Sequence, residues 1–597
     1  MSADRSREEA TAEQNVSVEV NRRTFLRWGA LAGAGASVTG LLGAPAAAAA
    51  EPAEQATFST GIEEATIASL QAQMTAGKLS SLELVNLYME RIDLVDHRGP
   101  KVNSVVEVNP AARTIARQLD NERRQGHVRG PLHGIPVLLK ENIDTGDKMQ
   151  TTAGSLALLG TPAPQDATVA ARLRAAGAVI LGKTNLSEWA NFRSFQSSSG
   201  WSGRGGQTNN PYFISHNPCG SSSGSAASVS SSFAAAGLGT ETDGSIVCPA
   251  SLNGVVGIKP TVGLTSRAGV VPISHSQDTV GPHGRTVADA AAVLGALVGV
   301  DPRDPATAGS AGHFFTDYTQ FLDPDGLNGA RIGIFRNTVT GYSPETDAIF
   351  ESAIQTMKDA GAVIVDPADV PTAQQILSDS AEITVLIYEF KRDIAAYLAT
   401  RTGLSVHTLA DLIAFNDAHA EQELKWFGQE LFLLTESDPF STADYDDALV
   451  RSHSLSREQG VDAILQDKNL DAIVAPTGSP SWPTDLINGD HFLGASSSPC
   501  AMAGYPIINV PMGNSFGLPV GISFMGTAYS EPKLIKLASG FEHARHARIV
   551  PTYKRAFAQG LVGRSAEQSA AAAASVRIES LLDRLNLTGR LARLHSL

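Results

Sequence analysis

Apolar residues spaced by three and four run through residues 62–98, GIEEATIASLQAQMTAGKLSSLELVNLYMERIDLVDH. The spacing predicts two amphipathic helices, the second with Ser81 as N-cap ahead of Glu83 and Leu84. From residue 131 the pattern changes to short unbroken apolar runs, GIPVLLKEN, GAVILGKT and GVVGIKP, interleaved with helical stretches such as ATVAARLRAAG. Strands buried on both faces alternating with helices read as an α/β fold. LNGARIGIFRN, LDAIVAPT, YPIINVPMG and PVGISFMG supply further strand candidates, while SAASVSSSFAAAGLG reads as a small-residue helix. One large layered sheet is the simplest architecture. No internal repeat is visible, and the low-complexity segments are an Ala run near residue 50 and SAEQSAAAAAS near residue 570. The folded domain is expected over 62–555, with a helical C-terminal extension over 556–597.

Charge and the N-terminal residues alter this picture. A net charge of −15 over 597 residues gives no basic footprint for nucleic acid or an anionic membrane. An uncharged or cationic small partner fits better. Residues 1–50 contain Arg22 and Arg23, then Thr24, Phe25 and Leu26, a weakly apolar Gly/Ala-rich run and small residues near Ala50. That order predicts an export signal of the twin-arginine type, a linker over 51–61, an extracytoplasmic location and no stable membrane anchor once the signal is removed. The three cysteines, Cys219, Cys248 and Cys500, are too few for a disulfide framework or a closed zinc site and are expected to be buried free thiols. No metal-ligand cluster is visible, so no metal or organic cofactor is expected.

Two motifs mislead when taken alone. Gly177 to Thr184, GAVILGKT, fits the phosphate-loop pattern, but a helical stretch precedes Gly177 and the spacer is itself a strand, so Gly177 reads as a helix stop. GSSSG within NPCGSSSGSA would make Ser222 the serine of a nucleophile elbow, yet the residues before it, TNNPYFISHNPC, form a loop where the elbow demands a buried strand. The segment is a Gly/Ser loop entering a helix N-terminus, a setting that favours developing negative charge. A second such loop, GLGTETDGSIVCPA, carries Ser245. A serine nucleophile needs a base, and His133, His275 and His283 are all distant in sequence. Lys140 ends the apolar run Ile135 to Leu139, where desolvation would lower its pKa enough to leave a free amine; Glu141 or Asp144 would oppose that by pairing with it.

Together these pieces resemble the amidase signature family over about residues 62–555. GIPVLLKENID, NPCGSSSGSAASVS, GTETDGSIVCPASLNGVVGIKPT and SQDTVGPHGRTVADAAAVLGAL look like its successive blocks, and DAIVAPT, GYPIINVP and GLPVGISFMG like its C-terminal ones. The resemblance implies one large domain with a central mixed sheet flanked by helices on both faces. It further implies a Ser-cisSer-Lys triad of Ser245 as nucleophile, Ser221 as bridge and Lys140 as base. Backbone amides of residues 242–245 would form the oxyanion hole, and Thr242, Asp243, Gly244 and Ser222 would lie at the oxyanion and substrate side. The chain departs from the family pattern at Asp243 and Val247, where glycine and arginine are usual, and at Ser223, where glycine is usual; Asp243 is expected to point away from the oxyanion. TETDGSI, DKMQTTAGS, YEFKRDIAAYL, LADLIAFN and FGQELF look closest to the peptide amidase branch, which implies a small-molecule or peptide amide as substrate. The family also includes fatty amide hydrolases and the glutaminase subunits of tRNA-dependent amidotransferases, and its scaffold could serve a non-catalytic binding protein. The export signal argues against the amidotransferase glutaminase, and the intact triad argues against the binding protein.

Overall fold

The first two helices start at polar caps. In the computed structural model, which describes residues 60–555, helix Ile67–Thr75 begins where Thr66 Oγ1 accepts the Ser69 N–H. Helix Ser81–Arg91 begins with a reciprocal box: Ser80 accepts the Glu83 N–H, and Glu83 accepts the Ser80 N–H. The cap is therefore Ser80, one residue before the predicted one, and the Ser81 hydroxyl donates to the Gly134 carbonyl. The expected export signal (1–50), positions 51–59 of the linker and the extension over 556–597 lie outside the described residues.

The sheet is built from β1 (Val105–Val108), β2 (Pro136–Lys140), β3 (Val179–Thr184), β6 (Ala236–Glu241), β7 (Val256–Lys259), β8 (Thr279–Gly284), β9 (Arg331–Ile334), β10 (Val363–Val365), β11 (Ala472–Pro476), β12 (Ile507–Ser515) and β13 (Leu518–Met525). Two short strands, β4 (Trp201–Ser202) and β5 (Gly206–Gln207), pair only with each other. Across the sheet the order is β1-β3-β2-β6-β8-β7-β12-β13-β11-β9-β10. β2 runs parallel to β3 and β6, and the middle of the sheet, from β8 to β13, is antiparallel. The sheet is thus mixed, within a single α/β domain.

Period-two alternation shows why both faces are covered. On β11, Ala472 and Val474 pack into one hydrophobic cluster with helices Val287–Leu297, Pro344–Asp359 and Glu531–Arg545, while Ile473 and Ala475 pack into another with Val247 and Cys500. Ile508 and Ile507 of β12, and Phe524 and Met525 of β13, divide the same way. Successive side chains of a strand point to opposite faces, so a strand with no polar face needs helices on both sides. Among the described residues no helix is long and apolar enough to cross a membrane.

Several strands match their apolar runs, and Gly177, at φ +82°, separates helix Thr168–Ala175 from β3, as predicted from GAVILGKT. Two differences stand out. The predicted helix over SAASVSSSFAAAGLG ends at Ser230, and its Ala236–Gly239 portion opens β6. β8, TVGPHG, lacks the apolar run that marks the other buried strands. A Cβ on Gly281 would lie 1.9 Å from the Ile258 carbonyl oxygen, so β8 uses glycine where β7 approaches most closely.

Candidate active site

Lys140 is the last residue of β2, and its side chain turns toward the neighbouring strand β6, where Thr240 lies. Nζ sits 2.8 Å from Ser221 Oγ, 2.9 Å from Thr240 Oγ1 and 3.2 Å from the Thr240 carbonyl oxygen. The lysine is fully buried. Desolvation brings its pKa down to about 7, and the charges of Asp278 and Glu241 keep it from falling further. The adjacent carboxylates do not pair with it: Glu141 receives Thr152 and Arg204, and Asp144 receives Tyr397 and Arg401.

Ser221 lies in the loop before helix Ser223–Ser230, and its peptide bond to Gly220 is cis. At Gly220 the loop is packed too closely for a side chain, since a Cβ there would meet Ser187 Oγ at 2.1 Å. Ser222 has another position than expected. Its hydroxyl donates to the Thr240 carbonyl at 3.0 Å and accepts the Thr240 N–H at 3.2 Å, and it does not line the cavity. These two bonds hold the serine loop against β6.

Ser245 lies in the turn between β6 and helix Val247–Leu252. The turn wraps around the Glu241 carboxylate, which accepts the N–H groups of Ile246 and Val247, and Gly244 takes φ +79°, a left-handed conformation natural to glycine. Thr242 Oγ1 donates to Asp278, whose other oxygen accepts the N–H groups of Ile273 and Ser274. Asp243 points its carboxylate at the hydroxyls of Ser497 and Ser498. Glu241, Thr240 and Asp278 had no role in the sequence reading, although all three stand inside the family-like blocks. Their work is to hold backbone or lysine, and only the folded contacts reveal it.

The two serine loops are joined directly. The Ser222 N–H donates to the Ser245 carbonyl at 3.1 Å, and Cys219 and Cys248 form a disulfide. That corrects the expectation of three free thiols: only Cys500 is free, and burial pushes its thiol up to about 12. The pairing could not be read from spacing, because the two cysteines are 29 residues apart and meet only through the loops. Replacing both with serine is expected to lower the unfolding free energy by ~3–4 kcal/mol, the chain-entropy value for a loop of this length. Urea unfolding of the double variant checks this; an unchanged midpoint would show that the cross-link adds nothing.

None of the three candidate histidines hydrogen-bonds to Lys140 or Ser221. His133 bonds the Leu119 carbonyl. His275 lies at the surface between Asp393 and Glu389, the one grouping among the described residues with side chains placed to hold a metal ion. His283 is buried against the Ile246 carbonyl, with its pKa pushed down to about 4 by desolvation.

A cavity of about 340 Å³ opens onto Ser245, Gly244, Asp243 and Thr242. Its apolar wall includes Phe192, Phe195, Leu386, Trp482 and Phe492, and both bridging cysteines reach it.

The mixed eleven-stranded sheet thus carries a buried amine, two serine loops and an adjoining cavity. The Amidase family profile matches residues 83–535, and the chain belongs to this family of amidase signature enzymes, which makes it an amide-hydrolysing enzyme. It is similar to the crystal structure of native peptide amidase from Stenotrophomonas maltophilia, 51% identical with a TM-score of 0.79, over 84% of this chain and 100% of that one. A probable amidase of Arabidopsis thaliana is 46% identical over 83% of this chain and 93% of its own. A glutamyl-tRNA(Gln) amidotransferase chain of Symbiobacterium thermophilum is 33% identical over 80% of this chain and 96% of its own. The structural likeness agrees with the peptide amidase branch.

Proposed function

We propose that this enzyme is an exported amidase that hydrolyses C-terminal peptide amides to acid and ammonia through an acyl-enzyme on Ser245. The observation that carries the reading is the 2.8 Å contact between Lys140 and Ser221 at a site where the amine titrates near neutrality. A neutral lysine has two N–H bonds and one lone pair. With the N–H bonds directed at the Thr240 carbonyl and hydroxyl, the lone pair faces Ser221. Lys140 then takes the Ser221 proton as Ser221 takes that of Ser245, and Ser245 Oγ attacks the amide carbon. The amides of residues 242–245 hold the oxyanion in a turn fixed by Glu241. The relay returns its proton to the departing nitrogen, the C–N bond breaks and ammonia leaves. A water deprotonated by the same relay attacks the ester, the acid is released and Ser245 regains its proton.

A peptide-like acyl group fits the apolar cavity, and the likeness to a peptide amidase supports that substrate over a fatty amide or glutamine. Free glutamine would bring an α-carboxylate, which proteins typically hold with arginine, and among the described residues no Arg, Lys or His lines the cavity. Mass spectrometry of products from peptide amides, fatty amides and glutamine tests the assignment. Peptide acids plus ammonia are the expected result, and turnover of glutamine alone would overturn it.

Export is supported by the Arg22-Arg23 motif and by the disulfide, since such bonds persist in oxidising compartments. Replacing both arginines with lysine is expected to retain the protein in the cytoplasm, as fractionation and blotting would show. Undiminished secretion of that variant would contradict the twin-arginine route.

A further inference from the structure

The two serine loops meet at a disulfide that forms part of the cavity wall. Cys219 stands two residues before Ser221, and Cys248 three after Ser245. Their Cα atoms lie 6.0 Å apart across the S–S bond. Each cysteine is tied to its serine's segment through the backbone: the Cys219 carbonyl accepts the Ser223 hydroxyl at 2.6 Å, and the Cys248 N–H donates to the Gly244 carbonyl at 2.8 Å. A shift of either sulfur therefore passes to the neighbouring serine. The Ser222 N–H bond to the Ser245 carbonyl joins the same segments, but one hydrogen bond contributes only ~0.5–1.5 kcal/mol net and yields where a covalent link does not. The sulfurs are not sealed off. Both cysteines line the cavity in front of Ser245, in an apolar patch shared with Trp482 and Phe492, and they are 5% and 4% exposed.

We propose that the Cys219–Cys248 bond is a redox-operated positioning clamp for the relay, opened by small thiols that enter through the cavity, so that the enzyme has its full rate only when oxidised. This rests on the amide-hydrolysing reading given above, with Ser245 as nucleophile. The exchange balances with a dithiol as reductant: one thiolate attacks a cysteine sulfur and expels the other cysteine as its thiolate, then the second thiol displaces the attacked cysteine and closes a cyclic disulfide. Two electrons and two protons pass to the protein. With the clamp open, Ser221 and Ser245 lose their fixed spacing, and a misplacement of about 1 Å at a reacting group costs up to ~10²-fold in rate. Lys140 keeps its surroundings, since it stands on β2 and is bonded to Thr240 of β6. Opening should thus lower kcat and leave the pH midpoint in place. For a chain exported as proposed above, cytoplasmic thiols would hold the activity down and an oxidising compartment would release it.

The test uses the full-length enzyme, oxidised or treated with dithiothreitol, and follows the fold by circular dichroism. With an acetylated dipeptide amide, reduction is expected to lower kcat by ~10–10²-fold, to change KM little, to leave the rise in rate at about pH 7, and to reverse when oxidised glutathione restores the bond. Cys219→Ser combined with Cys248→Ser should show the reduced enzyme's kcat with or without dithiothreitol; should that variant fail to fold, the reversible reduction decides. A bond that serves stability alone would move the unfolding midpoint and no rate, so equal kcat in the two forms overturns the proposal. Two further results would also overturn it: loss of fold on reduction, which would make the bond a structural staple, and a bond that resists dithiothreitol in the folded enzyme, as alkylation and mass spectrometry would show. Entry through the cavity has its own readout. In Ser245→Ala, saturating peptide amide should slow reduction severalfold, and an unchanged rate would overturn that route. If the oxidised enzyme hydrolyses no amide, the amide reading fails separately, and the rate of fluorophosphonate labelling at Ser245 compares the two forms without a substrate.

Discussion

Replacing Lys140 with alanine is expected to slow acylation by ~10²–10⁴, the usual loss when a positioned proton acceptor is removed, and to erase the rising limb of the pH profile. The sign follows from the direction of the shift. Burial lowers the amine from its ordinary value to about 7, so it is an ammonium below that pH and a free amine above it, and only the amine accepts a proton. Wild-type kcat/KM should therefore rise through about pH 7. Asp278 opposes the downward shift, so Asp278→Asn should move the rise to lower pH. Stopped-flow acylation with an activated ester or amide, run across pH, measures both effects. A Lys140→Ala enzyme with near-normal acylation and the same midpoint would transfer the role of base to another group. His283 fits that role poorly, because a group held near 4 would place the rise three units lower.

The second large effect separates the three serines. Ser245→Ala should lower kcat by on the order of 10⁶, as loss of the nucleophile does in serine hydrolases. Ser221→Ala removes the bridge and should cost ~10²–10⁴. Ser222→Ala should behave differently, because that hydroxyl bonds both backbone groups of Thr240 and does not line the cavity. Its loss should show mainly as ~1–3 kcal/mol of stability, the cost of leaving buried polar groups unsatisfied. Thermal unfolding together with kcat distinguishes the three. A Ser222→Ala enzyme as inactive as Ser245→Ala would contradict the arrangement.

What the sequence made legible follows from where the information is stored. Lys140 could be found because PVLLK is an apolar strand that ends in a charge, and the serines because Gly/Ser loops stand out from their surroundings. Family resemblance, not spacing, chose Ser221 and Ser245 from among their neighbours. β8 and the start of β6 were obscured because Gly, Ala, Pro and Thr dominate them, residues that fit beneath closely packed neighbours but carry no apolar period. The disulfide and the hold of Asp278 on Thr242 depend on segments distant in sequence, so no local pattern could show them.

Which serine becomes acylated decides between the lysine relay and the nucleophile elbow. Treatment with a fluorophosphonate, then proteolysis and mass spectrometry of the adducted peptide, identifies the nucleophile directly. The adduct is expected on Ser245, with labelling abolished by Ser245→Ala and slowed by Lys140→Ala. An adduct on Ser222 would restore the nucleophile elbow that the loop before it argues against, and the Lys140-Ser221-Ser245 relay would have to be given up.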